Sequence, residues 1–205
     1  MLRAARQLYR RLRYGEPIIV VSGLPRSGTS MAMKMLEAGG LSTVSDGVRT
    51  ADVDNPKGYF EDERVKDLHK DVDKTWLRDS RGKVVKIISF LLSHLPETNN
   101  YRVLFMRRHL DEVLASQTKM LERRGEPSET SDDKMVELWE NHLWRASWLM
   151  KKRPHIEALD VHYTAVLEDP RREAERIRDF LGRPLDVGKM AAVVDASLYR
   201  NRAAE

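Results

Sequence analysis

Four consecutive β-branched residues, Ile18-Ile19-Val20-Val21, lead through Ser22 into Gly23-Leu24-Pro25-Arg26-Ser27-Gly28-Thr29-Ser30. An apolar run without polar alternation is the pattern of a strand covered on both faces of a parallel sheet. Beyond the glycine loop, Met31, Met35 and Leu36 recur at helical spacing until Gly39-Gly40 stops them. Strand, glycine loop and helix in this order open an α/β unit.

The alternation continues downstream. Residues 83–89, 101–106 and 156–161 read as strands, and residues 61–71 and 111–123 as helices. Residues 45–60, with Asn55, Pro56 and Gly58, read as a loop, and residues 125–128 as a surface connector. Thr130 followed three residues later by Asp133 has the capping-box pattern. It opens a long helix whose Met135, Leu138, Trp139, His142, Ala146 and Leu149 share one face and which ends before Pro154. Asp169 and Pro170 take the cap and first position of a helix that carries Ala174, Ile177 and Leu181 to a stop at Gly182. The expected fold is a single α/β domain over residues 1–205, three layers with a mostly parallel central sheet flanked by helices. In such folds ligands bind at the carboxyl ends of the strands.

Composition narrows the chemistry. In 205 residues, 36 Lys+Arg oppose 32 Asp+Glu, a net charge of +4, and 41% of residues are hydrophobic, enough for one core. No apolar run reaches the ~20 residues of a membrane span. The absence of cysteine excludes disulfides, thiolate metal sites and cysteine nucleophiles, and makes a cytoplasmic location the expectation. Basic residues cluster only in residues 1–14, at Arg3, Arg6, Arg10, Arg11 and Arg13, so nucleic acid is not the expected partner. Leu2, Leu8, Tyr9 and Leu12 give that segment the pattern of a basic amphipathic helix, read as packed beside the first strand, with a membrane or partner surface as the alternative. Gly15, Glu16 and Pro17 break it from the next apolar run, unlike a signal peptide.

The loop at 23–30 has the spacing G-x-x-x-x-G-[KT]-[ST] of a phosphate-binding P-loop in the strand-to-helix context that the spacing requires. Backbone N–H groups turned inward, with a helix start behind them, hold an anion without a large side chain. The lysine of nucleotide-hydrolysing P-loops is replaced by Thr29, and a positive charge stands instead at Arg26. A kinase or ATPase needs that lysine and a magnesium-binding acid, for which Asp160 near the fourth strand is the one weak candidate. The histidines show no metal-ligand spacing, His142 falls on the apolar helix face as a core residue, and Trp144 and Trp148 read as core packing.

Pro25-Arg26-Ser27-Gly28-Thr29-Ser30 resembles the 5′-phosphosulfate loop of the sulfotransferases. Arg108 at a strand end, with Ser116 eight residues later, resembles the family's 3′-phosphate motif, a guanidinium fork backed by a hydroxyl. Tyr163 through Asp169-Pro170 to Phe180-Leu181-Gly182 is similar to the family's tyrosine near the adenine and the helix behind it. The basic tail containing Arg202 resembles the segment that closes over the 3′-phosphate, with a frayed terminus as the alternative. The resemblance implies 3′-phosphoadenosine-5′-phosphosulfate (PAPS) as co-substrate, no metal, and a small-molecule, lipid or carbohydrate acceptor bearing a hydroxyl or amine. It assigns Arg26, Ser27, Gly28, Thr29, Ser30, Arg108, Ser116, Tyr163 and Arg202 to the donor.

The family resemblance places Lys86 on the transferred group, but Ile88 stands where cytosolic relatives carry a catalytic histidine. Another base is needed. Glu61, in a segment resembling bacterial sulfotransferases, is the candidate, with Tyr59 and Phe60 expected to wall it with apolar surface and raise its pKa. The acidic first turn of a helix explains Glu61 equally well. His69, His94 and Asp46 are reserves. Two competing readings stay open: a P-loop phosphotransferase that tolerates the missing lysine, and a non-catalytic nucleotide-binding module.

Overall fold

The computed structural model describes residues 2–47, 60–126 and 130–198. Helix α1 (Leu2–Tyr14) precedes strand β1 (Ile18–Gly23), which the glycine loop joins to α2 (Thr29–Ala38). Two short helices, α3 (Glu63–Lys66) and α4 (Trp76–Asp79), lead to β2 (Val84–Lys86); β3 (Tyr101–Arg107), α5 (Leu110–Arg124), α6 (Asp132–Lys152) and β4 (Ile156–His162) follow. The chain closes with α7 (Tyr163–Glu168), α8 (Pro170–Leu181) and α9 (Val187–Ala192).

The sheet runs β2-β1-β3-β4 with every neighbouring pair parallel. Val20 pairs with Val85 on one side and Val103 on the other, so β1 is central. Successive side chains point to opposite faces. Ile19, Val21, Leu104 and Met106 meet Met33, Leu36, Ile177 and Met190 of α2, α8 and α9. Ile18, Val20, Val103 and Phe105 meet Leu92 and, from α6, Ala146 and Met150. The unalternated run at 18–21 is therefore covered on both faces, and the three-layer α/β architecture is the observed one.

Several local expectations are corrected. The strand at 83–89 stops at Lys86, and a 3₁₀ turn (Ser89–His94) replaces its end. Ile87 and Leu92 are fully buried there, so the apolar run continues for packing rather than for a ladder. The helix at 61–71 shrinks to α3 and a 3₁₀ turn (Asp67–His69). Asp62 caps α3 by accepting from the Arg64 amide, and Asp46 accepts from the Glu63 amide at 2.7 Å. Ser131 rather than Thr130 takes the cap position of α6, which begins at Asp132. Leu138, Trp144 and Trp148 lie on the solvent side of α6, at 53%, 69% and 55% exposure, outside the core expected for them. α8 starts and stops as the sequence predicts, Asp169 accepting from the Arg172 amide and Gly182 ending the helix in the left-handed conformation.

His155, just before β4, is buried with neither ring nitrogen hydrogen-bonded among the described residues. Burial pushes its pKa from 6.5 down to about 4. The folded state thus resists a proton that the unfolded chain accepts, and stability complete above pH ~6.5 is lost as pH falls toward 4. The full loss is on the order of 3 kcal/mol. Denaturant titrations across that range should show this slope in the wild type and a flatter one in His155→Leu.

Candidate functional site

The carboxyl ends of β1, β2 and β3 converge on one edge of the sheet, and the chain leaves each of them through a residue singled out above. β1 ends at Gly23, beside Met106 of β3. A Cβ at Gly23 would sit 2.5 Å from Ser27 Oγ and 2.9 Å from the Met106 carbonyl, so only glycine passes. The loop then turns tightly, Ser27 Oγ donating to the Leu24 carbonyl at 2.7 Å. Arg26 adopts a left-handed φ of 67° and Gly28 one of 98°, with buried Ser27 between them. Thr29 and Ser30 open α2, which has no side-chain cap at Gly28. Turned backbone followed by a helix start is the geometry that gathers N–H groups around an anion.

The second motif folds against the first. Arg108 leaves β3 and donates through Nη1 to the Arg26 carbonyl at 3.1 Å. Its Nε donates to Glu112 Oε2 at 2.8 Å, a pair whose side chains are 7% and 1% exposed. Arg26 Nε in turn donates to Ser116 Oγ at 3.0 Å. Tyr163, at the start of α7, lies under the Arg108 guanidinium, 4.4 Å from ring centroid to Cζ, and burial pushes its phenol pKa up. A Cβ on Gly28 would strike the same ring at 2.5 Å. Arg26, Gly28, Arg108, Ser116 and Tyr163, spread over 138 residues of sequence (163 − 26 + 1), thus form one cluster.

Gly28→Ala combines a left-handed φ with that collision. It should cost about 2 kcal/mol or more in chemical denaturation, whereas Gly40→Ala, at a left-handed φ with open space around it, should cost only about 1 kcal/mol.

At the end of β2, Lys86 Nζ lies 3.2 Å from Glu61 Oε1, with the side chains 11% and 27% exposed. Glu61 precedes the Asp62 cap and is not part of the first turn of α3. The acid-turn explanation therefore passes to Asp62 and Glu63. Phe60 is buried beside Glu61 in sequence, and the carboxylate faces an ammonium rather than only apolar walls. Tyr59 and Arg202 lie outside the described residues. Asp46 serves the start of α3, and His69 is exposed, its Nδ1 2.7 Å from the Lys66 carbonyl. Asp160 pairs with Arg107 at 3.1 Å on the β4 edge instead of facing the loop.

One residue is not among those the sequence pointed to, and one has contacts beyond those expected of it. Glu112, one helical turn after Arg108, is the buried carboxylate that orients it; the i,i+4 spacing was the available signal. His142 is not simply a core residue: its Nε2 lies 2.8 Å from Ser89 Oγ and its ring stacks on Phe90 at 3.8 Å, three to four residues beyond Lys86. Burial, reinforced by Arg145, lowers its pKa, which keeps the ring neutral. Among the described residues no group of three or more His, Asp or Glu side chains is placed to hold a metal.

A glycine loop between a central parallel strand and a helix, faced by an arginine from the neighbouring strand, puts the chain among the P-loop α/β proteins. The sulfotransferase family model matches residues 67–187, more than half of the chain, and the protein belongs to the sulfotransferase family. The match includes Lys86, Arg108, Ser116 and Tyr163, while the glycine loop lies before it. The fold is similar to that of sulfotransferase STF1 from Mycobacterium tuberculosis, with a TM-score of 0.57 and 14% identity over 94% of this chain and 76% of that one. It also resembles the sulfotransferase domain from the curacin biosynthetic pathway (TM-score 0.53, 14% identity, 88% and 78% covered). Mouse sulfotransferase SULT7A1, solved in complex with PAP, matches at a TM-score of 0.53 and 18% identity, over 87% of this chain and 62% of the mouse protein. At these identities the likeness is one of fold. Curated protein sequences give no match.

Proposed function

We propose that the protein transfers a sulfuryl group from PAPS to a hydroxyl or amine acceptor, and that residues 1–205 work as one domain. The observation that carries this reading is the pair of hydrogen bonds that joins the two phosphate motifs, Arg108 to the Arg26 carbonyl and Arg26 to Ser116 Oγ. A 5′-phosphate loop alone serves many nucleotides. A buried arginine locked beside it, with a serine hydroxyl in reach, adds a second anion site on the same nucleotide.

The residues fit such a donor. Gly28 lets the loop turn at a left-handed φ against the Tyr163 ring, and the start of α2 supplies partial positive charge. Arg26 and the amides of residues 27–30 hold the 5′ side, and Arg108 and Ser116 the 3′ side, with Tyr163 as the wall. The donor supplies the activated sulfuryl group. Lys86 offsets the negative charge on the group in transfer, and Glu61, tethered to Lys86, accepts the acceptor's proton. The ion pair gives both residues a fixed position before substrate arrives.

Calorimetric titration tests this reading against its rivals. Adenosine 3′,5′-bisphosphate should bind the wild type tightly without added metal, and ADP with magnesium only weakly. Preference for ADP with magnesium would favour a phosphotransferase. Bisphosphate binding without sulfuryl transfer to any acceptor of a broad panel would favour a non-catalytic module.

A further inference from the structure

Helix α1 is mounted with its polar side inward. A surface helix ordinarily buries its apolar stripe and shows its charges. Here Gln7 Nε2 donates to the Pro154 carbonyl at 3.4 Å, and Arg10 donates to Asn100 Oδ1 at 3.0 Å and to the Asn99 carbonyl at 3.1 Å. Asn100 Nδ2 donates back to the carbonyls of Arg10 and Gly15 at 3.0 and 3.1 Å. Leu8 and Leu12, one turn apart, are left 62% and 80% exposed, with Tyr9 at 56% and Ala5 also exposed. The thirteen residues carry five arginines and no acid. Arg11 is 64% exposed, in an ion pair with Glu16 at 3.5 Å, and the Arg13 guanidinium lies at the surface, donating to Tyr9 Oη at 2.9 Å.

Charge and apolar surface together select the occupant. A second copy of α1 would set the exposed Arg11 and Arg13 against the same arginines, and a nucleic acid would meet the arginines while leaving both leucines in water. An anionic bilayer meets both needs, with headgroup phosphates for the guanidinium groups and the acyl boundary for the leucines. We propose that α1 seats the protein on anionic membrane surfaces, with Leu8 and Leu12 inserted and Arg11 and Arg13 at the phosphates. Its anchor points, Asn99, Asn100 and Pro154, precede β3 and β4 at the end of the sheet opposite the glycine loop. The inference therefore stands independently of the sulfotransferase reading.

Flotation with vesicles of phosphatidylglycerol and phosphatidylcholine, against phosphatidylcholine alone, tests it on the full chain. The wild type should float with the anionic vesicles and not with the neutral ones. Leu8→Gln/Leu12→Gln should lower partitioning at least about tenfold, and Arg11→Gln/Arg13→Gln should weaken it most at low salt. Both variants change exposed side chains and should keep the wild-type circular dichroism and thermal midpoint. No flotation of a folded wild type, or equal flotation of the leucine variant, would overturn the proposal. So would a concentration-dependent dimer that the leucine variant abolishes, or DNA binding in place of vesicle binding.

Discussion

Arg108→Ala should weaken binding of adenosine 3′,5′-bisphosphate by ~100-fold or more, the consequence of removing a nearly buried cation from the proposed 3′-phosphate site. The arginine is held on three sides, by Glu112 at 2.8 Å, by the Arg26 carbonyl at 3.1 Å and by the Tyr163 ring. Its position is thus fixed before the nucleotide arrives, and little ordering entropy opposes binding. A bare affinity loss is ambiguous, because the variant also takes the Arg108 charge away from the buried Glu112 carboxylate. The comparison with adenosine 5′-monophosphate removes the ambiguity. The wild type should prefer the bisphosphate strongly, and Arg108→Ala should bind the two ligands almost equally. Arg108→Lys, which keeps the charge but not the fork, should fall between them. Equal losses for both ligands would show that Arg108 supports the fold of the site rather than the 3′-phosphate.

Glu61→Gln should lower the turnover of sulfuryl transfer by about 10²- to 10⁴-fold, the usual contribution of a positioned base, while leaving bisphosphate affinity close to wild type. The amide keeps a partner for Lys86 Nζ at 3.2 Å, so the loss reports proton acceptance rather than collapse of the pair. Lys86→Ala should also reduce turnover, with the loss again in kcat, because the role proposed for Lys86 is on the group in transfer. His142 provides the internal control. It lies near the end of β2 on Ser89 and Phe90 and is held neutral by burial. If Glu61→Gln retains turnover and His142→Gln loses it, the base is the histidine on α6.

The parts legible in the sequence are those whose cause is local. The run at 18–21, the glycine spacing at 23–28 and the Asp169-Pro170 start of α8 each dictate their own conformation, and all appear as expected. The expectations that failed depend on partners far away in the chain. Whether Glu61 or Asp62 caps α3 is decided by Asp46, seventeen residues upstream, which holds the Glu63 amide. The early end of β2 follows from burial of Ile87 and Leu92 against the face that α6 covers, where an apolar run serves a 3₁₀ turn as well as a strand. Trp144 and Trp148 share their spacing with a core stripe but lie on the other side of α6, and no periodicity says which side meets the sheet. α1 shows the converse. Its amphipathic pattern was visible, yet polar contacts from Asn99 and Asn100 determine that its apolar side faces out.

The candidate site divides in the same way. The glycine loop was readable from its spacing and the Arg108 and Ser116 pair from the family resemblance, but their junction through the Arg26 carbonyl and Ser116 was not, because it closes contacts across 82 and 90 residues. Glu112 was hidden because a single carboxylate on an exposed-looking helix start carries no mark of burial until β3 and the loop pack around it.

A crystal structure with adenosine 3′,5′-bisphosphate would locate both phosphates directly. The 5′-phosphate should lie on the amides of residues 27–30 and the 3′-phosphate between Arg108 and Ser116, with Lys86 and Glu61 facing the open side of the 5′-phosphate. A nucleotide bound with its 3′-phosphate away from Arg108, or bound elsewhere than the glycine loop, would contradict the proposed donor site.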